Sequence, residues 1–175
     1  PLLSVLSGYL YFNPVNQEEG IGNLVVHADR GERSGVTLPD GTQVKLNAES
    51  SLSYTHDFGR ELRQVNLEGE AYFEVTRNED KPFVDIEVLG TSFNVYSYER
   101  ENVMEMALIS GRIKIQTCSE PSRVVYLKPN EKALFNKESG IITVEKTDNR
   151  FETAWLRGDL VFRSTTLSDV LAKLE

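Results

Sequence analysis

The feature that most limits what this chain can fold into is an alternation of apolar and polar residues with period two, sustained from Val36 to about Val144. Ala71, Phe73 and Val75 alternate with Tyr72 and Glu74, and Val84, Ile86 and Val88 alternate with Asp85 and Glu87. Met104, Met106 and Leu108 enclose Glu105 and Ala107, while Ile113 and Ile115 are flanked by Arg112, Lys114 and Gln116. Successive side chains of a strand point to opposite faces, so each run reads as a strand with one face buried. Turn-forming residues separate the runs: Pro39-Asp40-Gly41, Glu68-Gly69, Leu89-Gly90, Ser110-Gly111, Pro129-Asn130 and Ser139-Gly140. Almost no helical spacing intervenes. The pattern predicts an all-β domain.

A slower recurrence underlies the alternation. Leu38, Leu67, Leu89, Leu108 and Leu127 each stand just before a turn, with alternating apolar residues just after it. The last three are equally spaced, the earlier ones further apart. Such a recurrence suggests stacked β-turn-β units, arranged as a short solenoid or a flattened sandwich, each unit covering its neighbour's apolar face. An ordinary sandwich of hairpins fits the same spacing.

Both ends of the chain differ from this middle. Residues 1–12 are apolar but too short to cross a bilayer, and they lack the basic start of a signal peptide. Residues 1–20 read as an arm on the domain or as the outer end of a membrane helix. Residues 21–148 hold the β-domain, and Glu145 to Glu152 has the polar composition of a linker. Leu160, Val161 and Phe162 form a short apolar run, and Thr166 with Asp169 makes a variant capping box. Leu167, Val170, Leu171 and Leu174 then share one helix face. A lone strand and helix cannot close a core, so residues 149–175 read as a linker and the truncated beginning of an α+β domain.

Composition narrows the function classes. A net charge of −8 without a local Lys/Arg cluster argues against nucleic acid and against an anionic membrane surface. The single cysteine, Cys118, excludes an intrachain disulfide, and Glu120 close by disfavours a reactive thiolate. His27 and His56 are too few for a histidine-based metal centre, and they share no ligand spacing with an acid. His56-Asp57 near Ser50, Ser51 and Ser53 lacks the strand-turn-helix elbow that positions a nucleophile. Glu70 and Glu74 read as a charged strand exterior. We expect no catalytic residues, no metal and no cofactor. Tyr54, Tyr96, Tyr98 and Tyr126 leave one alternative open, an extracellular β-sandwich that binds glycan on an aromatic platform.

Several strings, in order, resemble the FecR family of anti-sigma regulators. They run from Gly31-Glu32-Arg33-Ser34 and Val36-Thr37-Leu38-Pro39-Asp40-Gly41-Thr42 through Leu67-Glu68-Gly69-Glu70-Ala71-Tyr72-Phe73-Glu74-Val75. Lys81-Pro82-Phe83-Val84, Val88-Leu89-Gly90-Thr91-Ser92-Phe93-Asn94-Val95, Ser110-Gly111-Arg112-Ile113 and Leu127-Lys128-Pro129-Asn130-Glu131 follow. Trp155-Leu156-Arg157-Gly158, with Leu160-Val161-Phe162 and the helix face, is similar to the opening of the family's C-terminal domain, itself like the short N-terminal domain of secretins and TonB-dependent receptors. Any one string is weak; together they are specific.

The resemblance implies a periplasmic sensor region of a single-pass inner-membrane protein. Its partners would be the signalling domain of a TonB-dependent outer-membrane transducer and, through an absent cytoplasmic part, an extracytoplasmic-function (ECF) sigma factor. Trp155, Phe162, Leu167, Val170, Leu171 and Leu174 become candidate partner-binding residues, with self-association through the helix face as a further outcome. The resemblance also implies a self-cleavage bond at Gly90-Thr91, by attack of the threonine hydroxyl on the preceding carbonyl, an N-to-O acyl shift that frees the Thr91 amine and leaves an ester for water to hydrolyse. The plain reading of Gly90 is backbone freedom in a turn.

Overall fold

The alternation becomes strand nearly everywhere the structure describes it. The computed structural model describes residues 2–6, 9–13, 23–56, 58–59, 63–76, 91–117, 123–159 and 161. Its strands are β1 (Leu2–Leu6), β2 (Tyr9–Asn13), β3 (Asn23–Ala28), β4 (Ser34–Thr37), β5 (Gln43–Leu46), β6 (Ser50–Thr55) and β7 (Arg63–Val75). Then come β8 (Thr91–Ser97), β9 (Val103–Ser110), β10 (Ile113–Thr117), β11 (Val124–Leu127), β12 (Glu131–Asn136) and β13 (Ile142–Lys146). A single helical turn, α1 (Asn149–Glu152), and a 3₁₀ turn at Ala154–Arg157 follow. The all-β expectation holds.

Pairing is antiparallel between neighbours, except that β2 and β10 run parallel. It separates into two layers that share β7. The first half of β7 lies between β6 and β1, and β3, β2, β10 and β11 extend that layer. The second half lies between β5 and β8, and β4, β9, β12 and β13 extend the other. Leu52, Leu67 and Ile115 from the first layer and Leu46, Val95, Met106 and Leu108 from the second join one buried cluster. Of the arrangements the sequence allows, this one is a flattened sandwich. Each fully buried leucine or isoleucine in it contributes roughly 1.5–3 kcal/mol.

Glu68-Gly69 reads as a turn in the sequence, yet the chain runs straight through it. Odd-numbered residues from Val65 to Phe73 stay buried on both sides of Gly69, so β7 keeps one face to the core as it changes layers. Gly69 takes φ 97° there, in the left-handed region. A β-carbon at this position would lie 2.7 Å from Cα of Ser50, so only glycine fits the corner. Gly41, Gly111 and Gly140 do lie in the connections between strands. Pro39-Asp40-Gly41 joins β4 to β5, where Asp40 accepts from the amide and hydroxyl of Thr42 and pairs with Arg63 at 2.9 Å.

Val84, Ile86, Val88, Leu89 and Gly90 lie outside the described residues, as do Asp57 and Cys118. So do Leu160, Phe162, Thr166, Leu167, Val170, Leu171 and Leu174. Among the described residues, no helix is long and apolar enough to cross a membrane.

Candidate functional site

Period two gives the second layer an outer face as well as a core face. Register places Tyr72, Asn94, Ala107 and Lys132 in one row across β7, β8, β9 and β12. Glu70, Tyr96, Glu105 and Leu134 form the next row. In a bare sheet both rows would meet water. Instead Asn94 is 3% exposed and Ala107 2%, because the chain after β13 folds back over them.

That returning segment, residues 147–157, is held as a strap. Thr147 donates its amide to the carbonyl of Asn130 at 2.9 Å. Asp148 caps α1 by accepting from the amide of Arg150, and Asn149 donates its side-chain amide to the carbonyl of Ile109. Glu152 accepts from the Thr147 hydroxyl. Gly158, in the left-handed region at φ 84°, closes the 3₁₀ turn. Where composition alone reads a linker, Asn149 and Glu152 reach the sheet at the Ile109 carbonyl and Lys132, while Thr147 bonds to Glu152 and Asp148 to Arg150 within the strap.

Two polar centres lie under or beside the strap. Nζ of Lys132 meets Glu105 at 2.6 Å, Glu145 at 3.6 Å and Glu152 at 3.7 Å. Burial works against the charge of this lysine, but the hydrogen bond and the three carboxylates outweigh it and raise its pKa above the usual lysine range. The second centre is a chain of hydrogen bonds. The indole N–H of Trp155 donates to Oδ1 of Asn94 at 3.1 Å. Nδ2 of Asn94 donates to Oε1 of Glu70 at 2.8 Å, and Nδ2 of Asn47 donates to Oε2 of the same carboxylate at 2.8 Å. Arg33 stands 6.0 Å from the centre of the indole.

Glu70, read as exterior from the sequence, is thus half-buried. Among the described residues no cation pairs with it. Burial pushes its carboxyl above the usual range, the amides of Asn94 and Asn47 pull it back, and the charges of Glu152 and Glu105 push it up further.

The other candidates are dispersed. Trp155 is buried against the sheet, and the remaining candidate partner-binding residues lie outside the described residues. Thr91 opens β8 opposite Val75; it is buried, and its hydroxyl lacks a hydrogen-bond partner. Gly90 before it is not described. Tyr54 on β6 is in the core against Phe58, whereas Tyr126 on β11 of the same layer is exposed. Tyr96 and Tyr98 contact each other edge to face, with their hydroxyls donated to Glu101 and to the carbonyl of Ala48. The four tyrosines share no platform. His56 is exposed in the turn after β6, and among the described residues no three His, Cys, Asp or Glu side chains cluster as a metal site.

A sequence model described as FecR protein matches residues 25–114, just over half of the chain. The chain belongs to the FecR family. Two crystal structures of a candidate anti-sigma factor from Parabacteroides distasonis resemble it at 35% identity, each with a TM-score of 0.67. The likeness covers 87% and 86% of this chain and 73% of the other in both cases. No curated protein matches. FecR membership supports a regulatory role of the anti-sigma kind, exercised through protein partners such as sigma factors and in association with a membrane. The family is generally non-enzymatic. Trp155, named from the sequence as a candidate partner-binding residue, is held within the chain by Asn94, a residue that sequence reasoning missed. Its one signal was a polar residue between Phe93 and Val95, ordinary for an outward strand position.

Proposed function

We propose that this FecR-family chain is the periplasmic sensor part of a transmembrane anti-sigma regulator. It relays the ligand state of an outer-membrane TonB-dependent transducer to a cytoplasmic ECF sigma factor by protein contact, without catalysis or cofactor. The observation that supports the relay is the docking of residues 147–157 through Trp155 and Asn94. A flexible tether would isolate the β-domain from events further along the chain. A docked strap carries a displacement beyond Gly158 directly onto β8.

On this reading residues 149–175 lead into the domain that meets the transducer's signalling domain, and Phe162, Leu167, Val170, Leu171 and Leu174 belong to that contact. Gly90-Thr91 is the proposed self-cleavage bond. The unpartnered hydroxyl of Thr91 favours it, since no hydrogen bond has to break before attack. The glycan alternative loses its platform, because Tyr54 is in the core.

The test is a pull-down between a longer regulator and the signalling domain of the transducer encoded beside it, with a sigma-dependent reporter in cells. Leu171→Asp should weaken the pull-down and uncouple the reporter from the inducing ligand. Unchanged binding and induction would refute the relay through this segment.

A further inference from the structure

Glu70 is an unusual residue to bury. Its two oxygens are satisfied by neutral amides, Asn47 from the β5–β6 corner and Asn94 from β8. The charged groups facing it are Glu105 on β9 and Glu152 on α1, both acidic. Lys132 is engaged by those carboxylates. Tyr96 and Tyr98 on the β8 side are phenols whose ionisation burial suppresses. Arg33 lies over Trp155 rather than against Glu70. A carboxylate in such a place carries a desolvation cost that an ion pair would ordinarily offset.

The strap imposes part of that cost. Trp155 and the 3₁₀ turn cover Asn94, and α1 brings Glu152 toward Glu70. Lifting the strap would return water to the carboxylate and remove the charge of Glu152. Both changes favour the ionised form, and neither helps the neutral one.

We propose that Glu70 is a proton-operated latch for the strap: a proton on Glu70 holds Trp155 docked on the second layer, and its loss loosens residues 147–157. The hydrogen bonds allow this. A neutral Glu70 keeps an acceptor oxygen for Asn94, so the Asn94–Trp155 bond survives. Its new O–H faces Asn47, whose amide can turn to present oxygen in place of nitrogen. The sign follows from linkage. The docked state holds the proton more tightly than the released state, so docking is strongest below the released-state pKa and weakens as pH rises from there through the docked-state pKa. The latch is a property of this chain alone and does not depend on the relay reading.

Trp155 is the only tryptophan, so its fluorescence reports the strap directly. The experiment compares the wild type with Glu70→Gln, which mimics the neutral acid. Trp155 emission and amide exchange over residues 149–157, corrected for intrinsic exchange, are followed between roughly pH 4 and 7, where far-UV circular dichroism verifies the fold. The wild type should lose about tenfold of strap protection for each unit separating the docked and released pKa values, and Glu70→Gln should show a flat profile. In a second arm, carboxyl NMR of Glu70 should show its midpoint falling toward the ordinary glutamate value in Trp155→Ala. Equal pH profiles in wild type and Glu70→Gln, or an unmoved Glu70 midpoint in Trp155→Ala, would overturn the latch.

Discussion

Trp155 donates its indole N–H to the side-chain oxygen of Asn94 at 3.1 Å, a bond between residues 61 positions apart. Asn94 uses the other end of its amide on Glu70, so one buried side chain ties the end of the described chain to the middle of β7. The bond converts a polar outer face into an interface, and it fixes the direction in which the chain leaves the β-domain.

Asn94→Ala should release the strap while leaving the sandwich folded. It strands the indole N–H and one oxygen of Glu70, a loss of about 1–3 kcal/mol in local stability. Hydrogen exchange should show residues 149–157 losing protection while β8 and β9 keep theirs. Trp155→Phe, which keeps apolar volume and loses one bond, should cost less.

Asp40 and Arg63 predict a global effect. The Asp40 side chain is 5% exposed and serves both the turn to Thr42 and the guanidinium. Asp40→Ala should lower unfolding stability by about 2–3 kcal/mol, because Arg63 is left without its partner and the turn loses its cap. Asp40→Asn, which keeps one acceptor oxygen for the Thr42 amide, should lose less in urea denaturation.

Thr91 separates stability from chemistry. Replacing an unpartnered buried hydroxyl with a methyl of similar shape is close to neutral or stabilising, so Thr91→Val should melt no lower than the wild type. If the Gly90-Thr91 bond is labile, intact mass should reveal a fragment beginning at Thr91 in the wild type and none in Thr91→Val. A wild type that stays whole at 37 °C would remove the self-cleavage proposal for this chain.

Lys132 predicts an alkaline limit. Its folded pKa lies above the ordinary lysine value, although burial alone would lower it. Its pairing therefore stabilises fully below the ordinary lysine range and is lost as pH rises through the folded value. Strap protection should fall above roughly pH 10.5 in the wild type. Lys132→Met should already be loosened at pH 7, where Glu105, Glu145 and Glu152 are left to repel one another.

Much of the fold was legible because strands announce themselves locally. The alternation at Met104, Met106 and Leu108, and at Ile113 and Ile115, names the core-facing residues directly. Asp40-Gly41 and Ser110-Gly111 mark their turns for the same reason. Gly69 was misread as a turn because a glycine signals only freedom at positive φ. Whether that freedom bends a strand back or lets it pass between two layers depends on Ser50, nineteen residues earlier in the chain and packed against it.

The sequence by itself determined the all-β class, the buried faces and the family, since each is written in short-range periodicity or in contiguous strings. Only the tertiary structure decided that Glu70 and Asn94 are covered, that Trp155 is their partner, and that residues 147–157 form a strap. An outward strand position reads the same whether it meets water or another segment. What distinguishes the two is a contact across many residues of chain, and it comes into being only when the sandwich closes.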